Sequence, residues 1–320
     1  MGHVDVRPWA PARAADVAAA VAANVERVLV GKRAQVEIAL ATLMAGGHLL
    51  IEDVPGLGKT MLARALATSI GLDFKRIQFT SDLMPSDVIG GPVYNPKDGS
   101  FVVRPGPVFA NVVLADEINR ANPRAQSALL ECMEEGQVTI DGHSLKLPEP
   151  FVVLATQNPI DMAGTYPLPE AQLDRFLIRL SLGYPPIDVE RDLISAQQFQ
   201  HPIATLQPAC RPEDFRGLAA SARHVFISPE IAAYIAALVD ATRRHPGVRF
   251  GASPRGTLAL ARMARALACA RGFEQVDPSI VRELAVTVLA HRIVVKTPGA
   301  GFKPAEVIVR EILESARTPR

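Results

Sequence analysis

The sequence predicts an α/β protein in which a parallel sheet flanked by helices is followed by a second domain of helices alone. Short apolar runs, each typical of a buried strand, alternate with helical patterns as far as about residue 180. Beyond residue 187 only helical patterns remain. The length of 320 residues accommodates two domains. We place them at residues 15–184 and 188–320, after a loose tail over residues 1–14.

The composition excludes several classes of protein. The chain is 48% hydrophobic and 21% charged, so it can bury a core and is not disordered. The net charge of +1 gives no overall attraction to nucleic acid or anionic lipid. The three cysteines are far apart and form no Cys-x-x-Cys, which disfavours a disulfide framework or a zinc site. No apolar stretch approaches 18 residues, so we expect a cytoplasmic protein without a membrane span.

Two helices are predicted ahead of the first strand. Asp16 is a capping residue for the first helix, in which valines recur at helical spacing from residue 17 to residue 28. The pair Val30 and Gly31 ends this helix. The second helix spans about residues 34–45 and leads into the first strand.

The central motif is a glycine-rich loop between a strand and a helix, which reads HLLIEDVPGLGKT over residues 48–60. Gly56 and Gly58 allow the backbone to turn its N–H groups toward a phosphate, and the positive end of the following helix points to the same place. We predict that Lys59 reaches the β- and γ-phosphates and that Thr60 holds Mg²⁺. Asp53 occupies the position where the usual pattern begins with glycine.

A second motif is an apolar strand, residues 111–115, that ends in two adjacent acids, Asp116 and Glu117. At the carboxyl end of a strand in an α/β sheet, such acids face the ligand crevice. We predict that Asp116 coordinates magnesium through water and that Glu117 polarises an attacking water as a general base.

A third polar residue, Asn158, follows the apolar strand at residues 151–156. A side chain there lies beside the acids and is able to fix the attacking water. The alternative is a turn residue before Pro159, which is a common use of asparagine, and the residues alone favour that interpretation.

Two hairpins interrupt the predicted α/β pattern. The first spans about residues 92–104, with its turn at residues 95–99. The second spans residues 137–147, with Asp141 and Gly142 between alternating strands. Neither hairpin belongs to a minimal nucleotide-binding fold, so both are candidate functional elements.

The first domain closes with a short helix and a fifth strand over residues 168–180, and a linker follows at residues 183–187. Five helices are then predicted, each beginning with a proline. Ser228, Ser253 and Asp277 precede three of these prolines as capping residues. The predicted helices span about residues 212–222, 229–244, 254–271, 278–291 and 304–316.

In their order and spacing these motifs resemble AAA+ ATPases, and within them the MoxR family. The matching stretches are VPGLGKT, RIQFT, DEINRA, ATQNP, LPEAQLDRF and GASPRG, at residues 54–60, 76–80, 116–121, 155–159, 168–176 and 251–256. The resemblance covers nearly the whole chain from about residue 25. Aspartate at the first position of the loop, here Asp53, resembles the phosphate loops of the MoxR family.

The resemblance implies a sheet of order 5-1-4-3-2, a helical lid and further site residues. It implies that Asn158 is the first sensor and that Arg255, in the lid, is a second sensor reaching the γ-phosphate. Arg175 matches an arginine finger given to the neighbouring subunit's ATP; the alternative is an ion pair with Asp174. The implied ATP-binding residues are Val30, Gly31, Pro55, Gly56, Leu57, Gly58, Lys59, Thr60 and Met61.

The resemblance also implies partners. Members of the family form rings, usually hexamers, and act as chaperone-like machines that remodel or mature client proteins. They often work with a protein carrying a von Willebrand A domain. The two hairpins match insertions directed toward a central pore or a partner.

Four other classes of nucleotide-binding protein are alternatives to a MoxR-type ATPase. A GTPase needs an Asn-Lys-x-Asp motif, and a transcription activator of this clade needs a Gly-Ala-Phe-Thr-Gly-Ala loop; the sequence has neither. A nucleic-acid motor favours basic hairpins, and the basic character here is modest, so nucleic acid is an unlikely partner. A scaffold that binds ATP without hydrolysis is the main alternative outside enzymes, and the intact Lys59, Asp116, Glu117 and Arg175 argue against it.

Overall fold

The computed structural model describes residues 8–97, 99–158, 164–196, 202–296 and 303–319. The helices are α1 Pro11–Glu26, α2 Arg33–Met44, α3 Lys59–Ser69, α4 Pro85–Ile89, α5 Pro123–Glu135, α6 Glu170–Leu173, α7 Ile187–Ala196, α8 Pro212–Ala222, α9 Pro229–Arg244, α10 Pro254–Ala270, α11 Pro278–Leu289 and α12 Ala305–Ser315. The strands are β1 Leu49–Glu52, β2 Phe74–Gln78, β3 Gly90–Asn95, β4 Ser100–Pro105, β5 Val112–Asp116, β6 Gln137–Ile140, β7 His143–Lys146, β8 Val152–Gln157, β9 Ile178–Leu180, β10 Val248–Phe250 and β11 Val294–Val295.

The central sheet has five parallel strands in the order β2-β5-β8-β1-β9. Numbered along the chain within this sheet, the order is the expected 5-1-4-3-2, and that prediction is confirmed. The strand β1 lies between β8 and β9, and β8 lies between β1 and β5. The carboxyl ends of β1, β8 and β5 therefore meet side by side at one edge of the sheet.

Alternate residues of each central strand face opposite sides of the sheet, as the period of a strand requires. On β1, Leu49 and Ile51 pack into the cluster that contains the first three helices, and Leu50 packs into the cluster that contains α5. The first cluster continues into α8–α12. The helical domain (α7–α12) thus shares a core with one face of the sheet.

Two antiparallel hairpins project from the α/β domain, β3–β4 and β6–β7. In the second hairpin, Asp141 and Gly142 have φ values of 49° and 75°. Positive φ at both central residues is what a type I′ turn needs, and it is the reason that Asp-Gly predicts such a turn.

Four of the five helices predicted to begin with a proline do so, with their predicted caps, whereas α12 begins at Ala305 with Pro304 as the residue before it. The Ser228 Oγ accepts a hydrogen bond from the Ile231 amide, and the Asp277 carboxylate accepts one from the Ser279 amide. The strands β10 and β11, which pair antiparallel, were not predicted. They are two or three residues long, too short to give a readable alternating pattern.

The start of the chain differs from the prediction of a loose tail to residue 14. Helix α1 begins at Pro11, five residues before the predicted cap Asp16, and it has no side-chain cap. Trp9 lies against Gly217 of α8, and its amide donates to the Ser221 Oγ at 2.8 Å. This anchoring is a tertiary contact between residues more than 200 positions apart, so no local pattern could reveal it. Residues 1–7 lie outside the described part of the chain.

Among the described residues, no helix combines the length and the apolar character that crossing a membrane requires.

A buried histidine joins three elements at the amino end of the sheet. The His48 Nδ1 accepts from the Val153 amide at 3.0 Å, and Nε2 lies 3.0 Å from the carbonyl oxygen of Met133. Both contacts suit a neutral ring that carries its proton on Nε2. Burial lowers the pKa of His48 from 6.5 to about 4.

We therefore expect acid to destabilise the protein through His48. In the unfolded state His48 binds a proton below about pH 6.5, whereas in the folded state it remains neutral until about pH 4. The unfolded state therefore binds more protons between these values, and the free energy of unfolding falls as the pH falls. The expected contribution of His48 between pH 7.5 and pH 5 is about 2 kcal/mol of unfolding free energy. Urea denaturation of the parent and of His48→Gln at pH 7.5 and pH 5 measures this contribution.

The control variant is His143→Gln, which changes an exposed histidine of β7. His48→Gln should reduce the difference in unfolding free energy between the two pH values, and His143→Gln should leave it unchanged. An equal pH dependence in the parent and in His48→Gln would show that His48 does not titrate as described.

Candidate nucleotide-binding site

The phosphate loop occupies residues 53–58, between β1 and α3. Gly56 and Gly58 have φ values of 89° and 88°, in the left-handed region that glycine occupies readily. A Cβ at Gly56 would meet no atom within 4 Å, so the loop opens onto free space there. The first helical hydrogen bond of α3 runs from the Leu62 amide to the Gly58 carbonyl. The amides of residues 59–61 consequently lack intrahelical acceptors and form an anion-binding helix terminus.

Lys59 is the first residue of α3, and its side chain reaches back to the loop. Its Nζ donates to the Asp53 carbonyl oxygen at 2.5 Å. Burial lowers the pKa of Lys59, and the negative charges of Asp53, Asp116 and Glu117 oppose that change. The ammonium group thus lies within electrostatic reach of Asp116 and Glu117, although these acids are about sixty positions away in the sequence.

The structure gives Asp53 a specific role. Its buried carboxylate accepts hydrogen bonds from the Ser181 Oγ at 2.8 Å and from the Leu182 amide at 2.5 Å. Glycine could make neither contact. Asp53 therefore ties the phosphate loop to the segment that leaves β9 toward the helical domain, which explains the departure from glycine at this position.

Asp116 is buried at the end of β5 and is held on both oxygens. Oδ1 accepts from the Thr156 Oγ1 at 2.6 Å, and Oδ2 accepts from the Arg76 Nη2 at 2.6 Å and Nε at 3.0 Å. A carboxylate oxygen has further lone pairs, so both oxygens can still accept from a water of a hydrated cation. The Asp116 carboxylate and the hydroxyl group of Thr60, the second residue of α3, are oxygen ligands of the kind that suits the partly hydrated coordination of Mg²⁺.

Glu117 adopts an uncommon backbone conformation. Its φ and ψ are 57° and 50°, in the left-handed region, where a residue with a Cβ pays roughly 1–2 kcal/mol. The Glu117 amide donates to the Thr156 Oγ1 at 2.8 Å. Its Oε2 accepts from the Gln78 Nε2 at 2.9 Å and lies 3.4 Å from the Arg120 Nε. The Glu117 carboxylate is therefore held by the last residue of β2 and by the turn that follows β5.

Three residues around the acids were not singled out in advance: Arg76, Gln78 and Thr156. For two of them, the sequence contains a pattern that points to a contact with the acids. Arg76 and Gln78 are alternate residues of β2, which pairs with β5 so that Gln78 lies opposite Asp116. Polar residues at a spacing of two on a strand next to an acidic strand end point to such a contact.

The predicted adenine segment lies beside the loop. A Cβ at Gly58 would lie 3.5 Å from the Leu29 Cδ1, and one at Gly31 would lie 3.2 Å from a methyl group of Val189. Gly31 has a φ of 73°. Val30 and Gly31 therefore lie between the phosphate loop and the start of α7. Asn158 is buried directly after β8, where the Gln157 carbonyl accepts from the Asp53 amide at 3.3 Å.

The structure does not bring Arg175 and Arg255 to this site. Arg175 precedes β9, and the Leu177 amide bonds to the His48 carbonyl, so both segments lie at the amino ends of their strands. The phosphate loop is at the opposite end, about 13 Å away along the four residues of β1. Arg175 and Arg255 lie together there, each paired with Glu134 of α5, at 2.9 and 3.1 Å.

The alternative partner suggested for Arg175 is wrong. Asp174 pairs with Arg292 of the helical domain, from the Arg292 Nε to the Asp174 Oδ1 at 2.8 Å. Arg292 also donates to the carbonyl oxygens of Phe176 and Leu177. Its burial lowers the pKa of the guanidinium group to about 10. Asp174 and Arg292 thus fix the turn that carries Arg175, and Arg175 itself points to Glu134.

Comparisons with known proteins agree with this geometry. Residues 48–178 match the ATPase family associated with various cellular activities (AAA), and residues 240–312 match an AAA lid domain. The first match contains the phosphate loop, both acids, Asn158 and Arg175. The second contains Arg255 and Arg292.

Similar proteins extend over nearly the whole chain. The chain is 52% identical to the uncharacterised protein YeaC of Bacillus subtilis (strain 168), over 92% of this chain and 93% of YeaC. It is 40% identical to Chaperone MoxR1 of Mycobacterium tuberculosis, over 93% of this chain and 81% of that protein. A crystal structure of a candidate ATPase from Cytophaga hutchinsonii matches with a TM-score of 0.87 at 38% identity, over 97% and 98% of the two chains. The resemblance found in the motifs is thereby confirmed, and the chain belongs to the MoxR family of AAA+ ATPases.

Proposed function

We propose that this protein binds ATP with magnesium and hydrolyses it within a ring of identical subunits, in order to remodel client proteins. The observation that carries the proposal is the meeting of the phosphate loop, Asp116, Glu117 and Asn158 at one edge of the sheet. The phosphate loop follows β1, Asp116 and Glu117 lie at the carboxyl end of β5, and Asn158 follows β8, and these three strands are neighbours in the sheet. Ligands of open α/β sheets bind at this edge.

The residues of the phosphate loop bind and orient the substrate in this proposal. The amides of residues 59–61 donate to phosphate oxygens, and Lys59 exchanges the Asp53 carbonyl for the β- and γ-phosphates. Thr60 and Asp116 would hold the magnesium ion. A bound magnesium ion supplies positive charge that offsets the charge developing on the phosphate oxygens.

Glu117 is the proposed general base. Its carboxylate accepts a proton from the attacking water, and Asn158 orients that water. Thr156 supports both acids, because its hydroxyl group donates to Asp116 and accepts from the Glu117 amide. A single side chain therefore sets the relative position of the metal ligand and the base.

The separation of Arg175 and Arg255 from the phosphate loop supports an assembly. Neither guanidinium group is near the loop of its own chain, since the length of β1 lies between them. Both are available to a nucleotide bound by a neighbouring subunit. A head-to-tail arrangement that closes on itself would place each pair of arginines against the next phosphate loop, which is how heterologous interfaces generate rings. We propose a hexamer, as the family resemblance implies.

The hairpin β3–β4 supports a protein as the target rather than nucleic acid. Its apolar residues Val93, Tyr94, Phe101 and Val102 are exposed over about half of their surface or more, and Phe101 reaches 70%. Tyr94 and Phe101 contact each other across the strands, with ring centroids 5.5 Å apart. Exposed apolar side chains of this kind are typical of protein-binding surfaces. We propose that they contact the client or a partner with a von Willebrand A domain.

The variant Glu117→Gln tests the proposal. It should bind ATP as the parent does and lose about 10²–10⁴-fold in hydrolysis rate, because general base assistance is of that size. Steady-state phosphate release and calorimetric ATP binding measure the two effects. The matched control is Glu135→Gln at the exposed end of α5.

Parental turnover by Glu117→Gln would remove this residue from the mechanism. The same assay with and without single-stranded DNA separates the proposal from a nucleic-acid motor. We expect DNA to leave the hydrolysis rate unchanged, and a strong stimulation by DNA would favour the motor instead.

A further inference from the structure

Glu134 pairs with both of the arginines that the proposed function assigns to the neighbouring subunit's nucleotide. Its Oε2 lies 2.9 Å from the Arg175 Nη2, and its Oε1 lies 3.1 Å from the Arg255 Nη2. Glu134 is the penultimate residue of α5, Arg175 precedes β9, and Arg255 is the second residue of α10 in the helical domain. One carboxylate thus connects two cations from different domains.

The surroundings distinguish this pair of arginines from two others nearby. A cavity of about 380 Å³ is lined by four arginines, two of which have fixed partners. Arg292 is buried on Asp174, and Arg262 donates to the Ala45 carbonyl oxygen at 2.6 Å. In the described part of the chain, the guanidinium groups of Arg175 and Arg255 have ion pairs with Glu134 alone.

The Glu134 carboxylate offers these arginines what a phosphate group offers, namely anionic oxygens that accept from two guanidinium groups. The Glu134 side chain is 38% exposed and that of Arg255 is 61% exposed. Ion pairs exposed to this degree are weak and are readily exchanged for water or for a stronger anion. A triphosphate carries more negative charge than one carboxylate and competes for the same donors.

We propose that Glu134 is a placeholder anion. In a chain without a neighbour it forms ion pairs with Arg175 and Arg255, and both ion pairs must break when the two arginines bind the neighbouring subunit's nucleotide. Glu134 therefore opposes assembly on ATP and raises the protein concentration at which the ring forms and hydrolysis begins. The inference rests on the proposed function, because it requires that the two arginines act on the neighbouring subunit's nucleotide.

The test compares Glu134→Gln with Glu135→Gln. The first removes the charge and keeps the shape of the side chain. The second makes the same change one residue later, where the described residues provide no ion pair. ATP hydrolysis per chain is measured against protein concentration at saturating ATP and magnesium, and sedimentation velocity measures assembly at the same concentrations.

We expect the half-saturating protein concentration to fall about fivefold in Glu134→Gln, because the variant loses both of the weak, exposed ion pairs of Glu134. Glu135→Gln should stay within about twofold of the parent, the range usual for an isolated surface charge. Thermal denaturation of both variants checks that they fold. Glu134→Ala provides a second removal of the charge and should shift the concentration in the same direction.

Three results would overturn the inference. An unchanged half-saturating concentration in Glu134→Gln would show that the carboxylate does not compete with nucleotide. A lower maximal rate, or a higher concentration requirement, would show instead that Glu134 positions the arginines for catalysis. If the parent hydrolyses ATP at a rate per chain that is independent of concentration, the proposed assembly fails and this inference fails with it.

Discussion

Arg175→Ala should bind ATP as tightly as the parent and hydrolyse it about 10³–10⁵-fold more slowly. An arginine that stabilises the charge of the transferring phosphoryl group contributes that factor, or about 4–7 kcal/mol of the activation free energy. Binding should persist because Arg175 lies at the amino end of β9, away from the phosphate loop of its own chain. Single-turnover hydrolysis and calorimetric binding measure the two quantities.

The control for Arg175→Ala is Arg124→Ala, which removes an exposed arginine from the first turn of α5. It should retain the parental rate. Arg175→Ala should melt close to the parent, because its ion pair with Glu134 is partly exposed on both sides and such pairs stabilise by about 0–1 kcal/mol. A large loss of thermal stability with a parental hydrolysis rate would make Arg175 a structural residue.

Lys59→Ala should lose ATP binding while the fold remains intact. The two lost charge-assisted contacts to phosphate are worth about 1.5–3 kcal/mol each, which corresponds to about 10²–10⁴-fold in affinity. The fold should persist because the variant loses one side-chain hydrogen bond, to the Asp53 carbonyl, while the Asp53 side chain keeps its bonds to Ser181 and Leu182. Removing a charge whose pKa is lowered by burial also relieves a desolvation cost.

Calorimetric titration of ATP and thermal denaturation of Lys59→Ala measure affinity and stability. Lys75→Ala, which changes an exposed lysine of β2, is the control and should bind ATP normally. Parental affinity in Lys59→Ala would contradict the placement of the triphosphate on this loop.

Much of the α/β domain was predictable because its signals are local. The strand–loop–helix at residues 49–69 combines an apolar run, two glycines with positive φ and a run of helix formers, and all of these lie within twenty residues. Proline at the first position and a capping residue before it located α9, α10 and α11. The sheet order came from the family resemblance, since strand periodicity alone does not specify neighbours.

The parts that were missed depend on contacts between distant positions. Arg76 reaches Asp116 only because β2 pairs with β5. Trp9 is fixed by α8, so a segment that looks loose in sequence is packed in the fold. Glu134 resembled any exposed glutamate near a helix end, and its two arginine partners become visible only when α5, β9 and α10 are assembled.

The position of Arg175 and Arg255 changes how the site is understood. The family resemblance already implied that Arg175 acts on the neighbouring subunit's ATP. The structure adds Arg255 to this interpretation, because both arginines are separated from the phosphate loop of their own chain by the length of β1. We infer that a complete site consists of the loop of one subunit and the arginines of the next. This division is the central claim, and it concerns which chain supplies which residue.

Mixing two inactive variants tests that claim most directly. Lys59→Ala keeps its arginines but cannot bind ATP, and Arg175→Ala binds ATP but lacks the finger. We predict that an equal mixture hydrolyses ATP at a substantial fraction of the parental rate, although each variant alone is nearly inactive, and that the regained activity rises more than linearly with protein concentration. A mixture no more active than the sum of its components, or a monomer confirmed by light scattering that hydrolyses ATP at the full rate per chain, would contradict the claim.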